Sequence, residues 1–280
     1  MKKRVAIIGG GAAALSVASF LDSSKFHISV YEKNKALGRK FLVAGKGGFN
    51  LTHGEAMSEM TSRYAHQSTL NGALSSFTND DFRVWLASIG IPTFVGSSNR
   101  VYPKKGIKPI EVLHAIEKTL VLNAVKIRFG KTWIGWDENE ALIFKDGTTV
   151  SPDYCIFALG GGSWKVTGSD GTWRSEFKKK GIKTNNFEAS NCAFQVNWET
   201  AISDKFAGKP LKNISITCDN KSQKGEVVLS QFGLEGNAIY ALSPEIRKQL
   251  KKGKATIYID FKPTFSTDAL LKKLTNTKAK

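Results

Sequence analysis

The most constraining feature of this chain is its first 32 residues. Met1 to Glu32 string together an apolar strand, the run Gly9-Gly10-Gly11-Ala12-Ala13-Ala14, an apolar helix, a second strand and an acid. Val5 to Ile8 is an uncharged run of the kind buried in a parallel sheet, and the glycines let the chain turn from it directly into a helix. Gly9 permits the tight turn, and Gly11 lets the backbone come close to a pyrophosphate. Ala14 stands where the pattern's third small residue lets helix pack on strand. Free N–H groups at the helix start, aided by the helix dipole, then favour an anion. The second strand, His27 to Tyr31, delivers Glu32 at a position 23 residues after Gly9, where a carboxylate accepts hydrogen bonds from ribose hydroxyls. Glycine spacing alone is a weak signal, but strand, helix and acid in this order point to a dinucleotide.

Lys2, Lys3 and Arg4 ahead of an apolar stretch imitate a secretory signal. Three consecutive glycines are poor in a helical signal core and are needed at a phosphate turn, so no export signal is read. The next longest uncharged run, Tyr154 to Trp164, is too short and glycine-rich to span a bilayer. A soluble, cytoplasmic protein with no membrane partner is expected. Cys155, Cys192 and Cys218 are odd in number and lack a Cys-x-x-Cys spacing, which argues against a disulfide framework, a zinc site and a dithiol. His27, His53, His66 and His114 show no metal-ligand spacing, and no metal is expected. The formal charge of +17 invites a nucleic-acid partner. The lysines are scattered, however, with modest clusters at 178–180 and 248–254, and a solvated basic surface is the favoured account.

After Glu32 a glycine- and lysine-rich passage from Lys33 to Thr52 has too little apolar periodicity for a regular element. Loops of this length inside a domain are usually functional. Its glycines turn backbone N–H groups toward a ligand, and Arg39, Lys40 and Lys46 supply positive charge. A helix is expected over Asp80 to Ile89, with Thr78 or Asn79 as cap and Gly90 and Pro92 as the stop. A second is expected over Pro109 to Val121 with Ile110, Leu113, Ile116 and Leu120 inward, and Arg100 to Lys105 reads as a basic turn between them. Ala124–Trp133, Ala141–Phe144 and Tyr154–Leu159 read as strands, with Asp146-Gly147 closing a turn between the last two. The third ends in Gly160-Gly161-Gly162, another place for close backbone approach. From about Glu188 short strands at Leu211–Thr217, Glu226–Leu229 and Ala255–Phe261, interrupted by Gly233 to Gly236, suggest a second, mostly β domain.

Several of these segments together carry a family likeness. They are Gly9 to Ala14 with Glu32, Leu37-Gly38-Arg39-Lys40 running into Gly45-Lys46-Gly47-Gly48-Phe49-Asn50-Leu51-Thr52-His53, Ala158 to Trp164 with Gly168 to Gly171, and Gly233 to Ser243. The chain resembles the bacterial NAD(P)/FAD-dependent oxidoreductase family of the YhiN/BaiN type, also called the aminoacetone oxidase family. That resemblance implies an α/β fold: a glutathione-reductase-type, FAD-binding Rossmann-like domain over residues 1–188 with an inserted β-rich domain over 189–280. It implies that Gly9, Gly10, Gly11, Ala12 and Ala13 hold the FAD pyrophosphate and Glu32, followed by Lys33, the adenosine ribose. Gly38, Arg39 and Lys40, with Gly45, Gly47, Gly48, Asn50, Leu51 and Thr52, would wrap the flavin half. Trp133 and the Gly160-Gly161 turn would flank the adenosine side.

The implied activity is hydride transfer between flavin and NAD(P)H or a small organic substrate. If NAD(P)H is the donor it binds without a Rossmann domain of its own, hence transiently. No catalytic acid or base stands out. Asn50, Thr52 and His53 read as positioning residues. Gly48-Phe49-Asn50 stands where many relatives carry Arg-Cys-Asn. Relatives also continue past residue 280 to a segment that closes over the flavin, so the chain is expected to stop inside the insert. The alternative reading is a non-enzymatic basic fragment that binds nucleotides or nucleic acid.

Overall fold

The structure, a computed structural model, describes residues 1–43, 49–64 and 67–275. It divides into two compact units, Met1–Asn185 and Asn186–Lys280. In the first, four parallel strands lie in the spatial order Tyr154–Phe157, Lys3–Ile8, Phe26–Glu32 and Lys126–Phe129. Side chains alternate across such a sheet. Val5, Ile7, Ile28 and Val30 therefore face one way, onto helices Ala12–Phe20 and Pro109–Leu122, where Ala14, Leu15, Val112, Leu113, Ile116 and Leu120 complete a buried core. Ala6, Ile8 and Tyr31 face the other way. A three-stranded antiparallel sheet, Trp133–Trp136, Leu142–Phe144 and Thr149–Val150, covers them. Fully buried Phe144 stacks on Tyr31 with ring centroids 4.8 Å apart, a contact of about 0.5–1.5 kcal/mol beyond the area it removes from water.

The helix Asn79–Ser88 begins at Thr78, whose side chain and Asp81 form a reciprocal capping box, and the chain turns away at Gly90 with φ +84°. Several details depart from the sequence expectation. Pro109–Leu122 buries Val112 rather than Ile110, which is 39 % exposed. The run Ala124–Trp133 is not one strand. Gly130 adopts φ +71° and breaks it into an edge strand of the parallel sheet and the first strand of the small one. Arg100–Pro103 is a strand rather than a turn, paired on one side with Thr52–His53 and on the other with Thr93–Val95. Inside the passage expected to be irregular, Arg39–Val43 forms a short helix. Phe41 and Phe49 meet edge to face at 4.9 Å and pack against the core, which accounts for apolar residues in so polar a stretch.

The second unit is built on a five-stranded antiparallel sheet in the order Phe194–Gln195, Gly233–Glu235, Lys221–Ser230, Pro210–Cys218 and Tyr258–Asp260. Gly233 to Glu235 continue the sheet rather than interrupt it. Helices Asn237–Ala241 and Ser243–Leu250 lay Ala238, Ile239, Leu242 and Ile246 over Ile214, Ile216 and Val227. Among the described residues no helix is long and apolar enough to cross a membrane. A side chain at Gly233 would place its Cβ 1.9 Å from the Phe194 carbonyl oxygen, whereas Gly72, in the exposed helix Gln67–Ser76, has nothing within 4 Å. Chemical denaturation should therefore show Gly233→Ala destabilising the second unit by about 2–3 kcal/mol through overpacking against backbone. Gly72→Ala should stabilise the first unit by about 0.5–1 kcal/mol through helix propensity.

Candidate functional site

From Lys3–Ile8 the chain crosses to a neighbour on one side, Phe26–Glu32, while Tyr154–Phe157 pairs on the other. In an open α/β sheet a crevice forms where the strand order reverses, at the C-terminal strand ends. Here a cleft of about 840 Å³ opens there, between Gly9–Ala13 and Ala158–Gly161. The three glycines of the turn stand in three different surroundings. Gly9 has φ +108° and donates its N–H to the Tyr31 carbonyl at 2.8 Å, and a Cβ on it would lie 2.4 Å from the Ala158 carbonyl oxygen. Gly10 is pressed against Leu37 and Glu32, at 2.7 and 2.8 Å from where its Cβ would stand. Gly11 is different: its backbone is extended (φ −85°, ψ −177°), a conformation open to other residues, and its Cβ would meet nothing within 4 Å. Neither the backbone nor the packing of this chain accounts for a glycine at Gly11. Gly11 also caps the helix Ala12–Phe20, which has no side-chain cap and no acid in its first turn, so its N-terminal N–H groups and dipole stay available to an anion.

Glu32 is 7 % exposed. Its Oε2 accepts the Gly10 N–H at 2.6 Å, and its Oε1 accepts both the Asn34 N–H at 2.7 Å and the Asn34 side-chain amide at 2.6 Å. A carboxylate offers about four lone-pair directions, so acceptor capacity remains on a group that borders the cleft. The Asn34 side-chain oxygen in turn accepts from Arg39 at 2.8 Å. This second-layer role of Asn34 has no motif that announces it. Gly38, with φ +61°, returns to the turn by donating its N–H to the Gly10 carbonyl at 2.9 Å.

A strap from Gly160 to Thr172 borders the other side of the cleft. It is tied down by Lys33, whose ammonium meets Asp170 at 2.8 Å, and by Lys40, which donates to the Ser163 hydroxyl. Burial works against the charged form of Asp170, but the Lys33 contact and the Thr172 hydrogen bonds outweigh it and hold the carboxyl below its ordinary range. The Trp173 indole donates to the Gly160 carbonyl at 3.0 Å. Trp133, Phe157 and Phe177 form an aromatic wall, with Trp133 and Phe157 centroids 4.9 Å apart. The Trp133 ring nitrogen is buried without a hydrogen-bond partner. In the adjacent strand Tyr154–Phe157, burial pushes the Cys155 thiol up to about 12, so it stays protonated and is no nucleophile.

Of the residues expected from the sequence, Gly9, Gly10, Gly11, Ala12, Ala13, Glu32, Lys33, Gly38, Arg39, Lys40, Trp133, Gly160 and Gly161 all border this one cleft. Asn50, Leu51 and Thr52 do not. They lead into the small sheet with Arg100–Pro103, where the Leu51 N–H donates to the Val101 carbonyl at 2.8 Å. Gly45, Gly47 and Gly48, with Lys46, lie outside the described residues. Sequence reasoning passed over Asn34, Tyr31, Trp173 and Phe177 as parts of the cleft. The clustered aromatics at 173 and 177 were the available signal, one helical turn apart and next to a glycine-rich segment.

Comparison with known proteins gives four findings. The chain is 25 % identical over 285 residues to a 3-dehydro-bile acid delta(4,6)-reductase of Clostridium scindens, covering 96 % of this chain and 67 % of that protein. Among solved structures, THI4 of Thermovibrio ammonificans aligns with a TM-score of 0.43 and 14 % identity, over 74 % of this chain and 71 % of its own. The 3-ketosteroid-delta4-(5alpha)-dehydrogenase of Rhodococcus jostii aligns with a TM-score of 0.38 and 14 % identity, over 57 % and 46 %. Both structural likenesses are too distant to bear on the chemistry. The family model described as the HI0933-like protein Rossmann domain matches residues 3–242, and with the phosphate turn, the acid and the parallel sheet in place the chain belongs to that family of FAD-binding oxidoreductases.

Proposed function

We propose that the cleft holds FAD with its diphosphate on Gly9 to Ala13 and its adenosine ribose at Glu32, and that the flavin exchanges electrons with a small organic substrate. The observation that carries this reading is Gly11, an extended glycine at a helix start with open space where its side chain would stand. When bound, FAD supplies reversible hydride acceptance. The protein's residues bind and orient. The helix-start N–H groups neutralise the diphosphate, Glu32 accepts from ribose hydroxyls while Asn34 fixes its orientation, and the Trp133–Phe157–Phe177 wall keeps water from one side. Arg39 and Lys40 add positive charge near the Gly38 turn. The buried Trp133 indole N–H is read as flanking the adenosine side.

The name of the Clostridium relative, of which this chain spans about two thirds of the length, supports reduction of a small organic molecule as the activity, and NAD(P)H is proposed as the transient donor. Residues 189–280 are read as the inserted domain and the cytoplasm as the compartment.

The first test is spectroscopic. The purified chain titrated with FAD should show perturbed flavin absorption, and NADH or NADPH should bleach it. Absence of FAD binding would overturn the reading. Gly11→Val projects a branched side chain into the open space. Folding stability should fall by no more than about 1 kcal/mol, as for a change at a helix cap, while FAD binding measured by fluorescence quenching should be lost. Retained FAD affinity in this variant would remove the diphosphate from the turn. Glu32→Ala should weaken FAD by about 2–3 kcal/mol, roughly 30- to 160-fold, as expected for loss of charge-assisted hydrogen bonds. Glu32→Gln, which keeps an acceptor for the Gly10 N–H, should fall between wild type and alanine.

A further inference from the structure

A second cleft, of about 310 Å³, lies on the opposite half of the same sheet. It follows from the side-chain alternation. Arg4 shares its face with Ala6 and Ile8, His27 shares its face with Ser29 and Tyr31, and the strand register sets Lys126 beside Ser29 and Arg128 beside Tyr31. Four basic side chains from three adjacent strands thus stand on the face that carries the small antiparallel sheet. That sheet covers only the C-terminal half, where Phe144 lies on Tyr31. Toward the N-terminal half the basic groups are left lining an open groove, with Ser29 on its floor.

Lysines on an edge strand are a familiar guard against strand pairing, and Lys126–Phe129 is an edge strand. Edge protection does not account for Arg4 and His27, which sit on the two interior strands. Arg4 is partly balanced by Asp153, with Nε 3.6 Å from Oδ2. Among the described residues His27, Lys126 and Arg128 have no carboxylate partner. Adjacent strands are about 4.8 Å apart and same-face neighbours along a strand about 6.6 Å, so the Cα atoms of Arg4 and Arg128 stand about 16 Å apart with His27 and Lys126 between them, a span that the long arginine and lysine side chains can close on a ligand. Lys126 and Arg128, same-face neighbours on one strand, repel each other, and a multivalent anion between them turns that repulsion into attraction. An arginine, a lysine and a hydroxyl are the donors that phosphate oxygens take.

We infer that this groove, separate from the dinucleotide cleft, binds a small multivalent phosphate anion of the diphosphate type. The volume suits a compact anion with a few waters at ~30 Å³ each, not an extended chain. Its ligand is held by Arg4, Lys126 and Arg128, with His27 and Ser29 as further donors.

The probe is inorganic pyrophosphate, titrated calorimetrically into the full chain at low ionic strength with FAD present in excess, so that the phosphate turn is not available to it. The double variant Lys126→Gln/Arg128→Gln should weaken pyrophosphate binding at least about tenfold. Lys126→Arg, which keeps the charge, should bind within about twofold of wild type. Both positions are exposed, and an unchanged melting temperature establishes that the variants are folded. The charge-matched double variant Lys105→Gln/Lys118→Gln, outside the groove, should leave binding within about twofold. Equal weakening by that pair would show a response to net charge and overturn the assignment, as would unchanged binding in the groove variant. A short single-stranded RNA that binds more tightly than pyrophosphate, and loses that binding in the groove variant, would replace the small anion with a nucleic-acid backbone and overturn it too.

Discussion

The buried carboxylate of Glu32 is the constraint on which the rest of the cleft depends. It joins the end of one strand to the turn that follows another, accepting the Gly10 N–H on one oxygen and both Asn34 donors on the other. A buried charge of this kind is costly unless its acceptors are filled. The backbone N–H of Gly10 is also costly if left unpaired. Each group answers the need of the other, and the turn is held in the shape that leaves Gly11 open. Asn34 extends the same network to Arg39, so the ordering reaches into the segment after the second strand.

How much of this was legible in the sequence depends on whether the cause was local. The glycine turn was legible because a strand, small residues and a helix are all it takes, and the cap was legible to within one residue, Thr78 or Asn79, because capping is a local interaction, here between Thr78 and Asp81. The break at Gly130 was not. A run of apolar and basic residues reads as one strand until two sheets compete for its ends. Ile110 and Val112 were exchanged for a similar reason, since helix periodicity gives the width of a face but not its centre, which is set by where the sheet lies. Gly233 looked like an interruption because glycine is rare in strands, and its use becomes plain only beside the Phe194 carbonyl that leaves no room for a side chain.

The strap shows why part of the site could not be read from spacing at all. Asp170 lies between glycines and its partner Lys33 is 137 residues earlier, while Ser163 answers Lys40 across 123 residues. No periodicity links such pairs. The parallel sheet makes them neighbours by setting Tyr154–Phe157 directly against Lys3–Ile8. Burial and the lysine's charge act on Asp170 in opposite directions, and the charge prevails, so the tie is ionic under neutral conditions.

That long separation has a consequence for how the protein is made. The strand Lys3–Ile8 pairs with Phe26–Glu32 within the first stretch of chain to emerge, but its other edge waits for Tyr154–Phe157, and the Lys33 tie waits for Asp170. At about 5–20 residues per second, a ribosome needs roughly 7–27 s to travel from Lys33 to Asp170. Through that interval the phosphate turn exists without its opposite wall, and an apolar central strand presents an unpaired edge. The cleft is therefore completed late in synthesis, and the nascent chain carries its greatest risk of mispairing before the strap arrives.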